Sequence, residues 1–165
     1  QSRGPDFDQD FTLKALGQFE QYVKSAEGHW QVSRAEARIL ECRTRLATKL
    51  YRTGDLYLKL KEYRSARHYF EAVIGEYSDT APYGDALIGA ALTDGRMGRK
   101  TQALATLDSL GRERAGTPLA DKAKLWRDKV AKWPDAGDLS RKAHKPVEAP
   151  ATPVPQQPTN QSFTP

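Results

Sequence analysis

Residues able to bind a metal or to catalyse a reaction are present in this sequence, but their spacing matches no complete site. Asp6, Asp8 and Asp10 have the spacing of the first ligands of a calcium loop, whose sixth position should be glycine but is Phe11. The three histidines are scattered, without the short spacing of zinc ligands. No nucleophile elbow, HExxH pair or glycine-rich phosphate loop occurs. We therefore expect no enzyme, no metal and no cofactor.

Cys42 is the only cysteine, so no disulfide can form within the chain. It follows Ile39 and Leu40 in a helical, apolar stretch, where a thiol behaves as a small hydrophobic side chain. A reactive thiol needs a neighbouring base or cation to lower its pKa, and none is evident. We interpret Cys42 as a buried core residue.

Cationic and aromatic side chains remain as candidates for binding. The chain has a net charge of +5, but its basic residues alternate with acidic ones, which is typical of a solvated surface. The excess also leaves nucleic acid open as an alternative partner. Tyr63 or Tyr69 could anchor a protein partner, since buried aromatic residues dominate interface energies. The polar residues predicted to surround this anchor are Arg45, Lys49, Arg52, Arg64, Arg67 and His68.

A repeated segment indicates how these residues are positioned. Thr80-Ala81-Pro82 and Thr117-Pro118 lie 37 residues apart (117 − 80), and so do Ala66 and Ala103 (103 − 66). A period of this length, filled by two amphipathic helices, is typical of a helical repeat array. Such arrays present an extended surface to other proteins.

The hydrophobic pattern predicts an all-α solenoid of antiparallel helix pairs. Six helices are expected, at about 10–28, 32–60, 63–77, 82–95, 103–110 and 117–133. Residues 9–133 would form the repeat domain, after a flexible segment at 1–8. Residues 134–165 contain seven of the ten prolines and few apolar residues, which predicts a disordered tail. No apolar run approaches the roughly 18–20 residues needed to cross a bilayer.

Several helix ends have sequence signals. Asp10 is a candidate N-cap of the first helix, and Gly28 a candidate end. Thr117 followed by Pro118 is a typical N-cap pair. The predicted apolar faces are Leu13, Leu16, Phe19 and Val23 on the first helix, and a continuous face from Val32 to Leu60 on the second.

The helix pair from Leu50 to Ser78 resembles a tetratricopeptide repeat. Gly54 and Tyr57 occupy the glycine and tyrosine positions of its first helix, and Ala66 and Phe70 the small and aromatic positions of its second. Glycine and alanine would let the helix backbones approach each other. The following unit keeps four of its small and apolar positions but has Asp94 in place of the tyrosine, so it is degenerate. The positions kept are Leu87, Ala91, Ala103 and Leu107.

A narrower resemblance covers roughly residues 8–110. The stretches that carry it are Leu13-Lys14-Ala15-Leu16, Ala35 to Ala47 with its Cys42-Arg43-Thr44-Arg45-Leu46-Ala47 end, and Tyr63 to Thr80. They resemble the C-terminal part of the BamD family, the repeat lipoproteins of the outer-membrane β-barrel assembly machinery.

The resemblance implies a non-enzymatic scaffold at the periplasmic face of the bacterial outer membrane. Its partners would be the POTRA domains of the barrel-forming subunit BamA and accessory lipoproteins. The N-terminal repeats, signal segment and lipidated cysteine of that family would precede this chain. A Tol-Pal coordinator-like, pilus assembly-like or cytoplasmic repeat adaptor, and a peptide- or nucleic-acid-binding module, remain alternatives.

Overall fold

The fold is all-α, as the hydrophobic pattern predicts. The structure is a computed structural model that describes residues 9–26 and 29–134. Over these ranges the chain forms six helices and no strand: α1 (Asp10–Ser25), α2 (Val32–Lys59), α3 (Tyr63–Glu76), α4 (Pro82–Arg96), α5 (Lys100–Glu113) and α6 (Pro118–Ala131).

Each helix packs against the next one along the chain, and α4 also contacts both α2 and α6. Contacts between helices two apart in sequence place α2, α4 and α6 side by side in one layer, with α3 and α5 in a second layer. This arrangement of stacked antiparallel pairs is the predicted solenoid.

Helix α2 is long enough to take part in two helix pairs. Its 28 residues span about 42 Å. Cys42 and Arg45, in its middle, line a cavity together with Phe19 of α1, whereas Gly54, near its end, lies against α3. The uninterrupted apolar face of α2 therefore packs against α1 in its middle part and against α3 near its end.

Most predicted helix ends are confirmed. The Thr117 side chain accepts a hydrogen bond from the Ala120 amide at the start of α6, and Pro82 and Pro118 are the first residues of their helices. Asp10 is wrong as a cap, because Gln9 occupies the N-cap position and Asp10 is already helical.

Two predicted core positions are also wrong. Leu13 is 53 % exposed, and Leu60 lies past the end of α2 and is 59 % exposed. Helix α1 buries no residue, since among the described helices it packs extensively against α2 alone. The predicted flexible segment at 1–8, Gly28 and the Pro-rich tail, apart from Pro134, lie outside the described residues.

Helix α4 is the centre of the molecule and contributes to two hydrophobic clusters. Ala86 and Ala90 belong to the cluster that α2 and α3 complete around Phe70. Ile88, Ala91 and Leu92 belong to the cluster shared with α5 and α6. Apart from Thr93 and Asp94, the buried side chains of α4 are apolar and mostly small, so four helices can pack closely around it.

The ring of Phe70 fills the space left by two glycines. A Cβ atom at Gly54 would lie 2.8 Å from Phe70 Cε1, and one at Gly89 would lie 2.6 Å from Phe70 Cζ. The expected role of Gly54 is therefore corrected: it makes room for an aromatic ring rather than for a neighbouring backbone.

We expect Gly89→Ala to destabilise the fold by about 1–3 kcal/mol, because the Phe70 ring is held between α2 and α4 and cannot move away from the added methyl group. Gly54→Ala should act in the same direction. Urea unfolding followed by circular dichroism would measure both free energies of unfolding.

Gly75→Ala is the matched control for this measurement. Gly75 also lies in a helix, but its added Cβ would meet no atom within 4 Å. This change should leave stability the same or raise it by up to about 1 kcal/mol. Equal effects of all three substitutions would contradict the proposed packing of Phe70.

Candidate protein-docking surface

One tyrosine of α2 and one of α3 stack on each other. The rings of Tyr57 on α2 and Tyr69 on α3 are nearly parallel, with centroids 5.4 Å apart and an interplanar angle of 7°. Tyr69 is half-buried in this contact. The structure thus places this candidate anchor in the packing between two helices.

Asp94 lies 37 residues after Tyr57 (94 − 57), at the position where the second repeat lacks its tyrosine. Its side chain is only 3 % exposed, and it is approached by two guanidinium groups. Arg67 of α3 donates a hydrogen bond from Nη1 to Asp94 Oδ2. Arg99 Nη2 lies 2.7 Å from Asp94 Oδ1 but is not aligned for a hydrogen bond, so charge attraction holds this second pair. The degenerate position therefore replaces aromatic stacking with an ion-pair cluster.

The backbone of Asp94 also orders the turn that follows α4. Its carbonyl accepts hydrogen bonds from the amides of Met97, at 3.1 Å, and Arg99, at 2.9 Å. Gly98 between them has a φ of 81°, a conformation that glycine adopts without strain. The side chain and the main chain of Asp94 together fix the position of Arg99.

A cavity of about 490 Å³, which we call the arginine groove, is lined by Arg64, Arg67, Met97 and Arg99. Arg67 Nε also donates to Glu71 Oε1 at 2.8 Å. Arg64 is exposed, and its side chain has no hydrogen bond or ion pair within the part of the chain that the structure describes. Three guanidinium groups against the carboxylates of Asp94 and Glu71 leave one net positive charge (3 − 2).

A second cationic region lies on α2. Arg45, Lys49 and Arg52, the cationic stripe, follow one another at helical spacing, and Arg52 is about 200° around the helix from Gly54. The stripe therefore faces away from α3, and each of its residues has a contact within the protein.

The structure divides the eight predicted partner-binding residues among several places. Arg64 and Arg67 share the arginine groove, which no residue of the cationic stripe lines. Arg67 contacts α4 and Tyr69 contacts α2, so these two side chains leave α3 on different flanks. His68 is exposed, with its ring edge-on to Tyr69, and Tyr63 is half-buried at the start of α3. Their roles in binding stay predictions.

Sequence reasoning missed Arg43, which connects α2 to the turn after α3. It donates to both carboxylate oxygens of Asp79, at 2.8 and 2.9 Å, and to the carbonyl oxygen of Glu76 at 2.6 Å. These hydrogen bonds lower the pKa of Asp79 below its ordinary value. The partners are 36 residues apart, so no local pattern could have revealed the pair.

Asp94 and Arg99 were also not predicted as parts of a site. The sequence did contain a signal for Asp94, namely an acidic residue at a repeat position that is usually aromatic. A carboxylate buried at such a position requires a cation or a hydrogen-bond donor beside it. No comparable signal exists for Met97 or Arg99, because their place in the groove depends on the turn after α4.

Cys42 is half-buried rather than buried, and it lines a cavity of about 340 Å³ between α1 and α2. Burial raises the pKa of its thiol, which favours the unreactive protonated form. Within the described ranges no three acidic, histidine or cysteine side chains are arranged to hold a metal ion. None of the described helices is long and apolar enough to span a bilayer.

A family model matches part of this chain. Residues 50–80 match the model of the tetratricopeptide repeat, the same helix pair that carries the predicted repeat positions. No curated protein matches the chain. Residues 50–80 are therefore similar to a tetratricopeptide repeat and lie within a solenoid of stacked helix pairs, an architecture that presents an extended surface to other proteins.

We expect Asp94→Asn to destabilise the protein by about 1–3 kcal/mol, because it removes the anion that two guanidinium groups share in a buried position. Urea unfolding would measure the loss. Asp108→Asn is the control, since the ion pair of Asp108 with Arg127 is exposed and should contribute less than about 1 kcal/mol. Equal losses would contradict a structural role for the Asp94 cluster.

The lowered pKa of Asp79 predicts a pH dependence. A depressed carboxyl pKa adds stability above the unfolded-state value of about 3.9, and this contribution is lost as the pH falls through the folded-state pKa. Asp79→Asn should lower stability at about pH 6 by less than about 1 kcal/mol, since the pair is half-exposed, and should weaken the decline towards about pH 3.

Urea unfolding across this pH range would measure the effect. Glu36→Gln is the control, because Glu36 is an exposed carboxylate of α2 without a hydrogen bond or ion pair in the described part of the chain. Parallel pH profiles for wild type and Asp79→Asn would contradict the prediction.

Proposed function

We propose that this chain is a non-catalytic docking scaffold of an outer-membrane β-barrel assembly machinery, related to the BamD family. In this role it binds the POTRA domains of the barrel-forming subunit, together with accessory lipoproteins, at the periplasmic face of the outer membrane. Attachment to the membrane would depend on an N-terminal lipid.

The observation that carries this proposal is the tetratricopeptide repeat at residues 50–80, set in a solenoid whose helices present cationic side chains. Rigid helix pairs limit the entropy lost when a partner binds, so a modest surface can support specific docking. Complementary charge would steer and orient that partner.

A tertiary contact also supports the resemblance. Two of the stretches that carry it, the one containing Arg43 and the one containing Tyr77 and Asp79, meet in the structure. Arg43 binds the Asp79 carboxylate and lies 5.3 Å from the Tyr77 ring centroid. These separated residues therefore form one packing unit, which gives a physical reason for their joint occurrence.

The test is calorimetric titration of the full 165-residue chain with the POTRA domains of the barrel-forming subunit from the same genome. We expect binding in the micromolar range or tighter. Charge reversal of the cationic stripe, Arg45→Glu with Lys49→Glu and Arg52→Glu, should weaken it about tenfold or more. Because these residues have contacts within the protein, the same triple change to Gln would repeat the test without adding negative charge.

The matched control reverses three exposed cations elsewhere, Arg112, Arg114 and Lys124, for the same change in net charge. Circular dichroism would verify that every variant is folded. Absence of binding by folded wild type would overturn the barrel-assembly proposal. Equal weakening by both triple reversals would remove the cationic stripe from the docking surface.

A further inference from the structure

We propose that the arginine groove binds a carboxylate side chain of an acidic segment in a protein partner. The groove lies between the first two turns of α3, which supply Arg64 and Arg67, and the turn after α4, which supplies Met97 and Arg99. This assignment rests on the docking function proposed above and specifies the chemistry that one part of the surface recognises.

The first reason for this assignment is that guanidinium N–H groups in the groove have no acceptor among the described residues. The Arg64 side chain has no hydrogen bond or ion pair among the described residues. Arg67 uses Nη1 for Asp94 and Nε for Glu71, which leaves its Nη2 without an acceptor there. Guanidinium groups present paired N–H donors that match the two oxygens of a carboxylate.

Preorganisation is the second reason. The buried carboxylate of Asp94 holds Arg67 and Arg99 from two sides, and its carbonyl fixes the Arg99 backbone. A ligand would therefore meet guanidinium groups that are already positioned, which reduces the ordering cost of binding. Arg64, at the groove's exposed side, could close onto the ligand.

The neighbouring cations belong to a different cluster. The guanidinium carbon of Arg96 lies 4.0 Å from the ring centroid of Trp133, and Lys100 Nζ donates to the Trp133 carbonyl oxygen at 3.0 Å. Neither of them lines the groove. Arg64, Arg67 and Arg99 are the cationic residues that line the groove.

Charge and size favour a carboxylate over a nucleic-acid backbone. The groove carries one net positive charge, and a cavity of about 490 Å³ can take one or two side chains. Nucleic-acid binding requires a series of cations along a backbone, with affinity that grows with the number of phosphates neutralised. Met97 adds an apolar wall that can contact the methylene groups of a glutamate.

The probe is a blocked hexapeptide of alternating glutamate and aspartate, titrated into the full chain. Calorimetry would give the affinity, and the Nε–Hε signals of ¹⁵N-labelled arginines would locate the site. We expect the signals of Arg64, Arg67 and Arg99 to shift, and the corresponding glutamine-asparagine peptide to bind at least about tenfold more weakly.

Arg64→Gln is the principal variant, because Arg64 is exposed and its replacement breaks no side-chain hydrogen bond or ion pair in the described chain. It should weaken peptide binding about tenfold, and Arg99→Gln should weaken it by at least as much. Arg114→Gln is the control, an exposed arginine at the end of α5 that lies outside the groove. It should bind the peptide as wild type does.

Wild-type affinity in both groove variants would overturn the assignment, and so would equal binding of the uncharged peptide. A single-stranded DNA oligomer that bound more tightly than the peptide and depended on Arg64 and Arg99 would also overturn it, in favour of nucleic acid. The peptide test uses no POTRA domain. POTRA binding without peptide binding would therefore reject the groove alone, and the reverse would reject only the barrel-assembly role.

Discussion

The contact of the Phe70 ring with Gly54 and Gly89 sets the spacing of three helices. The ring lies on α3 and occupies the space that side chains on α2 and α4 would otherwise fill. Because the ring is 1 % exposed and is bounded on two sides by glycines, α2, α3 and α4 approach only at the separation that it permits. The position of α4, and with it the packing of α5 and α6, depends on this contact.

The two repeats have chemically different side chains at the same repeat position. In the first, Tyr57 stacks on Tyr69, and aromatic area stabilises the helix pair. In the second, Asp94 takes the place of the tyrosine and is stabilised by Arg67 from the preceding repeat and Arg99 from its own. A buried carboxylate costs free energy unless cations compensate it, so this exchange requires both arginines. The replacement links adjacent repeats and at the same time orders cations at the surface.

The positions of the two proposed binding surfaces follow from the packing of the helices. Cations on α2 that face away from α3 form the cationic stripe, whereas those at the ends of α3 and α4 converge on the arginine groove. Helix α4 has few side chains available to a partner, since most of them are buried. The proposed docking chemistry is therefore confined to α2, α3 and the turn after α4.

The sequence by itself was sufficient for the fold class, the six helices and the repeat at residues 50–80. These features depend on periodic hydrophobicity, on the Thr117-Pro118 cap and on small and aromatic residues at repeat spacing, all of which act locally along the chain. It was not sufficient for the exposure of Leu13 and Leu60, because a helical stripe does not show where a neighbouring helix ends.

Only the tertiary structure decided which charged residues meet. Arg43 with Asp79, and Arg67 with Asp94, are pairs separated by 36 and 27 residues. Two of the eight predicted partner-binding residues, Arg64 and Arg67, line one groove with Met97 and Arg99, which were not predicted. A third, Tyr69, lies in the stack between α2 and α3. The reason is physical: periodicity tells which face of a helix is apolar, whereas an ion pair depends on the relative height and rotation of two helices. Those quantities are set by the packing of Phe70 and the small residues around it.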